Sequence, residues 1–146
     1  MPELRITTDP AELDVGLIHG FLAGSYWAAG VPLVTVQRAL SNSLCFAGFV
    51  DSQQVAFARV VSDQATFGYL ADVFVVPEHR GKGFGREIVR AVMDDDRLQG
   101  LRRWHLVTRD MHRLYLDFGF VGLADPDRHM QKHDPDVYRR ANDGQA

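Results

Sequence analysis

Residues 76–92, VPEHRGKGFGREIVRAV, decide how the chain is read. Gly81, Gly83 and Gly85 stand at every second position, with Arg80, Lys82 and Arg86 among them. The preceding run, YLADVFVV at 69–76, is apolar except for Asp72 and reads as the end of a buried strand. After the glycines, Phe84, Ile88, Val89, Val92 and Met93 recur at helical intervals, while Arg86, Glu87, Arg90 and Asp94 fall elsewhere on the wheel. A helix start leaves several backbone N–H groups without partners and carries partial positive charge. Glycines before it let those groups converge and remove the side chains that would block a close approach. Such a nest suits an anion, above all a phosphate or diphosphate. The plainer alternative is a glycine-rich turn with ordinary surface charges. Two known phosphate loops are excluded by spacing. Lys82 is followed by glycine rather than Ser or Thr, and the interval after Gly83 breaks the dinucleotide pattern.

Outward from this stretch, the element order can be read in both directions. Upstream, ELRITT (3–8) alternates as a first strand, and DPAE (9–12) opens a helix expected over 10–23, with Asp9 as cap and Pro10 in the first position. Pro32 opens a second helix with Leu33, Val36 and Leu40 on one face. Tyr26 and Trp27 lie on the small-residue loop between the two, either plugging a core edge or lining a pocket. SLCFAGFV (43–50), QVAFARVVS (54–62) and ATFGYLADVFVV (65–76) are separated by tight-turn residues and read as an antiparallel meander. Downstream, the acids at 94–96 read as a solvated, fraying helix end. RRWHLVT (102–108) reads as a strand, and DMHRLYLDFGF (110–120) as a helix stopped by Gly119. FVGLA (120–124) and HMQKHD (129–134) are expected to be two last strands. Residues 1–139 are read as one domain and 140–146 as a loose polar tail.

The totals narrow the classes. A chain of 146 residues with 46% hydrophobic and 24% charged content can bury a full core. A net charge of −3 provides no overall basic field for a nucleic acid backbone. Cys45 is the one cysteine, so no internal disulfide forms; within its apolar run it reads as a small buried hydrophobe rather than a nucleophile. No basic-then-apolar leader opens the sequence, and no apolar run approaches the roughly 20 residues of a membrane helix, so a cytoplasmic location is expected. No histidines and acids at ligand spacing suggest a metal.

Arg80-x-x-Gly83-x-Gly85 resembles the coenzyme A diphosphate signature of the GNAT acyltransferase superfamily. LADVFVVPEHRGKGFGREIVRAVM (70–93) is similar to that family's long strand, phosphate loop and following helix, and LYLDFGF (114–120) resembles its Leu-Tyr-x-x-x-Gly-Phe segment. The resemblance implies an α/β GNAT fold: a mixed, mostly antiparallel sheet with helices on both faces, splayed at the strand carrying the cofactor site. It also implies direct acetyl transfer from acetyl-CoA to a primary amine of a small molecule or peptide, through a ternary complex. No metal, nucleic acid or membrane partner is implied, and a homodimer is compatible with family habit.

The chemistry poses three problems. An amine with a lysine-like pKa of about 10.4 is neutral in only about one molecule in a thousand at neutral pH, an oxyanion must be stabilised, and the leaving thiolate needs a proton. The resemblance places the backbone N–H of Val75 at the thioester oxygen, and Phe74, Val75 and Val76 along the pantetheine. It places Arg80, Gly81, Lys82, Gly83, Phe84, Gly85 and Arg86 around the diphosphate. Tyr115 stands at the family's proton-donating tyrosine, against the alternative of a core tyrosine. Asp72 is the single acid in its strand run; it reads as a base acting through water, as an orienter of the acceptor, or as a structural anchor. Many family members carry asparagine where this chain has Thr108, whose hydroxyl is expected to replace that cofactor contact, with Asp110 capping the next helix. His105 and His112 are further possible bases. The acceptor is expected beside Tyr26, Trp27 and the 129–134 segment. Two other readings stand beside the enzyme: a silent acetyl-CoA-binding regulatory module, and an RNA- or protein-interaction domain using the basic loop.

Overall fold

The structure is a computed structural model that describes residues 3–144. The three β-branched and aromatic runs form the expected meander, β2 (Leu44–Val50), β3 (Gln53–Ser62) and β4 (Phe67–Val75). β1 (Arg5–Thr7) pairs antiparallel with β2, and β5 (Arg103–His105) pairs parallel with β4, giving the order β1-β2-β3-β4-β5. Val55, Ala56, Phe57 and Ala58 are each 0% exposed. Successive strand residues point to opposite faces, so the sheet is covered on both.

The cover comes from helices whose apolar spacing was legible. α3 (Phe84–Asp94) buries Phe84, Ile88, Val89 and Val92 and packs across β2, β3 and β4. α1 (Val15–Ala23) buries Ile18 and Leu22, and its Phe21 ring stacks on Phe74 of β4 at 3.9 Å. α2 (Leu33–Ser41) begins after Pro32 and buries Val36.

The helix expected over 10–23 is in fact two pieces. Asp9 caps a single 3-10 turn, Pro10–Glu12, and Leu13 then turns extended at ψ 130°. Asp14 restarts the chain: its carboxylate accepts from the Leu17 N–H at 3.1 Å, and its own N–H donates to Gln54 Oε1 at 2.8 Å. Gln54 is 1% exposed, and a buried amide must find partners. Satisfying it costs the helix its continuity.

Three further expectations are corrected. The acidic end of α3 is ordered, because Asp95 accepts from the Arg97 N–H and from its guanidinium, each at 2.9 Å, which holds its carboxyl below the usual range. Residues 120–124 and 129–134 form no strands. Their alternation marks no buried face: Val121 and Met130 are 79% and 97% exposed, and without a ladder partner the pattern has nothing to order it. The tail read as loose carries α5 (Val137–Asp143), tied back where Asn142 Nδ2 donates to the Gly30 carbonyl at 3.0 Å. Residues 145 and 146 lie outside the described residues. No helix among the described residues is long and apolar enough to cross a membrane.

Candidate active site

β4 and β5 part soon after they meet. Their pairing covers only Phe67–Tyr69 with Arg103–His105, after which β5 ends and β4 runs on to Val75. The other edge of β4 stays bonded to β3, and the Val76 N–H donates to the Val55 carbonyl at 2.8 Å. Strand alternation therefore turns the N–H and carbonyl of Val75 toward the open side. The carbonyl accepts from Arg80 Nε at 2.9 Å, and the N–H faces the side on which β5 has already ended. Phe74 keeps its side chain in the core, against Phe21 and Phe57.

A β-bulge shapes the same strand. Phe57 faces Phe74 and Arg59 faces Ala71, so Asp72 and Val73 together oppose the single residue Ala58. Asp72 takes the left-handed conformation at φ +56°, a region Asp enters more readily than most side chains.

Beyond β4, a 3-10 turn at Pro77–His79 leads into the glycines. Gly81 and Gly83 have φ +76° and +82°, where an L side chain is strained, and a Cβ built on either meets nothing within 4 Å. Gly83 is the N-cap of α3, and no side chain caps it. The first helical bond runs from the Glu87 N–H to the Gly83 carbonyl, which leaves the N–H groups of Phe84, Gly85 and Arg86 turned to open space. Lys82 is exposed beside them. The Arg86 guanidinium is tied to Asp117 at 2.9 Å, and Arg90 lies over the Phe118 ring at 5.1 Å. Both link α3 to the end of α4 (His112–Leu116), the short helix that carries Tyr115.

Tyr115 is 8% exposed, and its ring meets Phe120 edge-on at 5.9 Å. Burial pushes its phenol up to about 12, because the phenolate would lose its hydration. Asp110 does not cap α4. Thr108 Oγ1 instead accepts from the Met111 N–H at 3.0 Å. His112 is exposed at the start of α4, and His105 stacks between Tyr69 and His129.

Tyr115, Thr108, Asp72, Tyr26 and Trp27 all line one cleft of about 940 Å³, closed on a further side by Gln131, His133 and Tyr138. The glycine loop lies outside this lining. Tyr26 and Trp27 remain 57% and 43% exposed and sit edge to face at 5.1 Å, so they border the cleft rather than plug the core. Trp27 Nε1 donates to Asp72 Oδ1 at 2.9 Å, and Arg59 Nε donates to Asp72 Oδ2 at 2.7 Å. Arg59 also reaches Ser43 Oγ at 3.1 Å. Arg59 was missed in the sequence, although the signal was there: it is the lone cation in one apolar strand, as Asp72 is the lone acid in the next. Cys45, under Arg59, is buried and its thiol is pushed up to about 11, which leaves it inert as a nucleophile. Among the described residues no group of three or more His, Cys, Asp or Glu side chains is placed to hold a metal ion.

Known proteins bear on this geometry. Residues 17–120 match the Acetyltransferase (GNAT) family. A crystal structure from Xanthomonas campestris pv. campestris, named as a putative acetyltransferase of that family, is 52% identical with a TM-score of 0.92, over 94% of this chain and 98% of that one. A curated Gibberella zeae protein, also carrying an acetyltransferase name of that qualified kind, is 33% identical over 75% of this chain and 74% of its own length. A Deinococcus radiodurans structure is 20% identical with a TM-score of 0.72, over 93% and 95% of the two chains, a likeness of fold alone. Enzymes of this family generally draw on acetyl-CoA. The open glycine loop, the parted strands and the matched residues agree: the chain belongs to the GNAT acetyltransferase family.

Proposed function

We propose that the protein transfers an acetyl group from acetyl-CoA to a primary amine of a small molecule or peptide, by direct attack within a ternary complex. The observation that carries this reading is the parted edge of β4, where the N–H of Val75 faces the open side, between the uncapped start of α3 and the cleft of Tyr115. The glycine loop fits a diphosphate, since the space that side chains would fill at Gly81 and Gly83 is open. Bound there, acetyl-CoA supplies an activated acyl group as a thioester.

The chain's own residues would divide the work. The amides of 84–86, with Arg80 and Lys82, hold the anionic end, with Arg86 contributing through its backbone while its side chain stays on Asp117. Arg80 leaves the Val75 carbonyl for that task, freeing it to accept from an amide of the cofactor arm. The Val75 N–H steadies negative charge on the carbonyl oxygen, a contribution of about 3 kcal/mol for a fixed donor. Tyr115 hands a proton to the departing sulfur. Asp72 holds Trp27 and Arg59, and each of its oxygens keeps a second lone pair through which a water takes the amine's proton. Thr108, whose hydroxyl accepts from the Met111 N–H at the start of α4, would offer its own hydrogen to the cofactor arm.

The test is release of free thiol from acetyl-CoA in the presence of a panel of primary amines. Binding of acetyl-CoA without turnover on any amine would favour the silent binding module. A melting temperature raised by oligonucleotides but not by acetyl-CoA would favour the interaction domain. Trp27→Ala should raise the acceptor KM about tenfold, from the lost indole surface and its bond to a carboxylate, with the acetyl-CoA KM unmoved. Equal shifts in both constants would remove Trp27 from the acceptor's path.

A further inference from the structure

One carboxylate lining the acceptor cleft makes no ion pair among the described residues. The cleft's ionic side chains are Arg59, Asp72, Asp110 and Asp134, with His133 beside them. Asp72 is matched by Arg59 inside the cleft, and Asp134 by Arg140, whose Nη1 lies 3.0 Å from Oδ1. Asp110 is matched by nothing among the described residues. It makes no ion pair, and the helix-capping bond it was expected to take belongs to Thr108. The neighbouring Arg109 is turned onto the Tyr26 ring, 3.8 Å from its centroid. Asp110 therefore stands exposed and without an ion pair on the wall that carries Tyr115, and the cation beside it in sequence is engaged elsewhere.

We propose that Asp110 is a specificity-determining residue whose carboxylate receives a cationic group of the acceptor, so that the preferred acceptors are small amines with a second positive centre. This rests on the acetyl-transfer reading above. The nitrogen that attacks must be neutral, so a lasting attraction to Asp110 requires a charge elsewhere on the same molecule. Smallness follows from the enclosure. Residues 131–138 wall the cleft, Asn142 ties α5 to Gly30, and Arg109 reaches across to Tyr26. The volume of about 940 Å³ is shared with the thioester end of the cofactor at Thr108 and Tyr115, and what is left suits a small amine.

The experiment compares 1,4-diaminobutane with 4-aminobutanoate, equal in length and opposite in charge at the far end. The unsubstituted protein should acetylate the diamine with a kcat/KM about tenfold higher. Asp110→Asn should erase about fivefold of that preference, with the loss in the acceptor KM rather than in kcat or the acetyl-CoA KM. Rising ionic strength should shrink the preference in the same direction. A preference for 4-aminobutanoate would assign recognition to the unbonded Nη2 of Arg59 and overturn the proposal, as would a variant that keeps the full preference for the diamine. Bound acetyl-CoA with no turnover on any amine would overturn the acetyl-transfer reading itself, and this inference with it.

Discussion

Tyr115→Phe is expected to lower kcat about a hundredfold or more while leaving acetyl-CoA affinity and the fold in place. The ring fills a buried site against Phe120, and phenylalanine keeps that volume and loses only the hydroxyl. The hydroxyl keeps the proton that the role assigned to it requires, although burial also makes it a weaker acid. Its pKa, raised by burial to about 12, keeps the proton on oxygen throughout the neutral range, so a donor is always present. The same shift fixes a sign. Because the folded value lies above the ordinary 10.0, the stability linked to the neutral phenol is complete below that pH and is lost as pH rises through about 12. An alkaline limb in kcat near pH 8 or 9 would then have to arise from another group. Steady-state kinetics of the phenylalanine variant, beside its circular dichroism melt, give the answer. A kcat within threefold of the unsubstituted protein would pass the proton transfer to water.

The part of this site that could be read in the sequence is the part built from local pattern. Apolar runs bounded by turn residues gave β2, β3 and β4, and helical spacing gave α3, because in each case the residues that define the element lie within a few positions of one another. The glycine loop was legible for the same reason: a strand, three spaced glycines and a helix are contiguous. What escaped depends on distant partners. Asp72 was visible as an anomaly, but its role could not be told from its neighbours, since Trp27 and Arg59 reach it from 45 and 13 positions away. The break at Leu13 is set by Gln54, 40 positions on. At 120–124 and 129–134, alternation was read as strand where the residues join no ladder, and the tail's composition hid a helix held by Gly30 across 112 positions. The cleft lined by Asp72 and Tyr115 is assembled almost wholly from such long-range meetings, which is why the glycine loop was the easier part of the structure to foresee.

Gly83→Ala is expected to weaken coenzyme A binding about a hundredfold, the loss of one or two charge-assisted hydrogen bonds. Gly83 sits at φ +82°, and a methyl group there meets no atom within 4 Å, so the substitution costs conformational strain of about 1–2 kcal/mol and no clash. Two responses are open to the alanine, and both harm the loop. If the backbone holds its left-handed conformation, the methyl intrudes on the space in front of the amides of 84–86. If it relaxes to negative φ, the first turn of α3 swings and those amides no longer converge. Gly100→Ala separates strain from binding, because Gly100 has φ +75° and equally open surroundings but lies past the far end of α3. It should lose similar stability and keep its affinity. Pantetheine, which lacks the diphosphate, should bind the Gly83 variant as it binds the unsubstituted chain, so a calorimetric loss confined to coenzyme A would locate the anion at this helix start. Equal dissociation constants for coenzyme A in the Gly83 and Gly100 variants would move the diphosphate elsewhere and leave the three glycines as a turn.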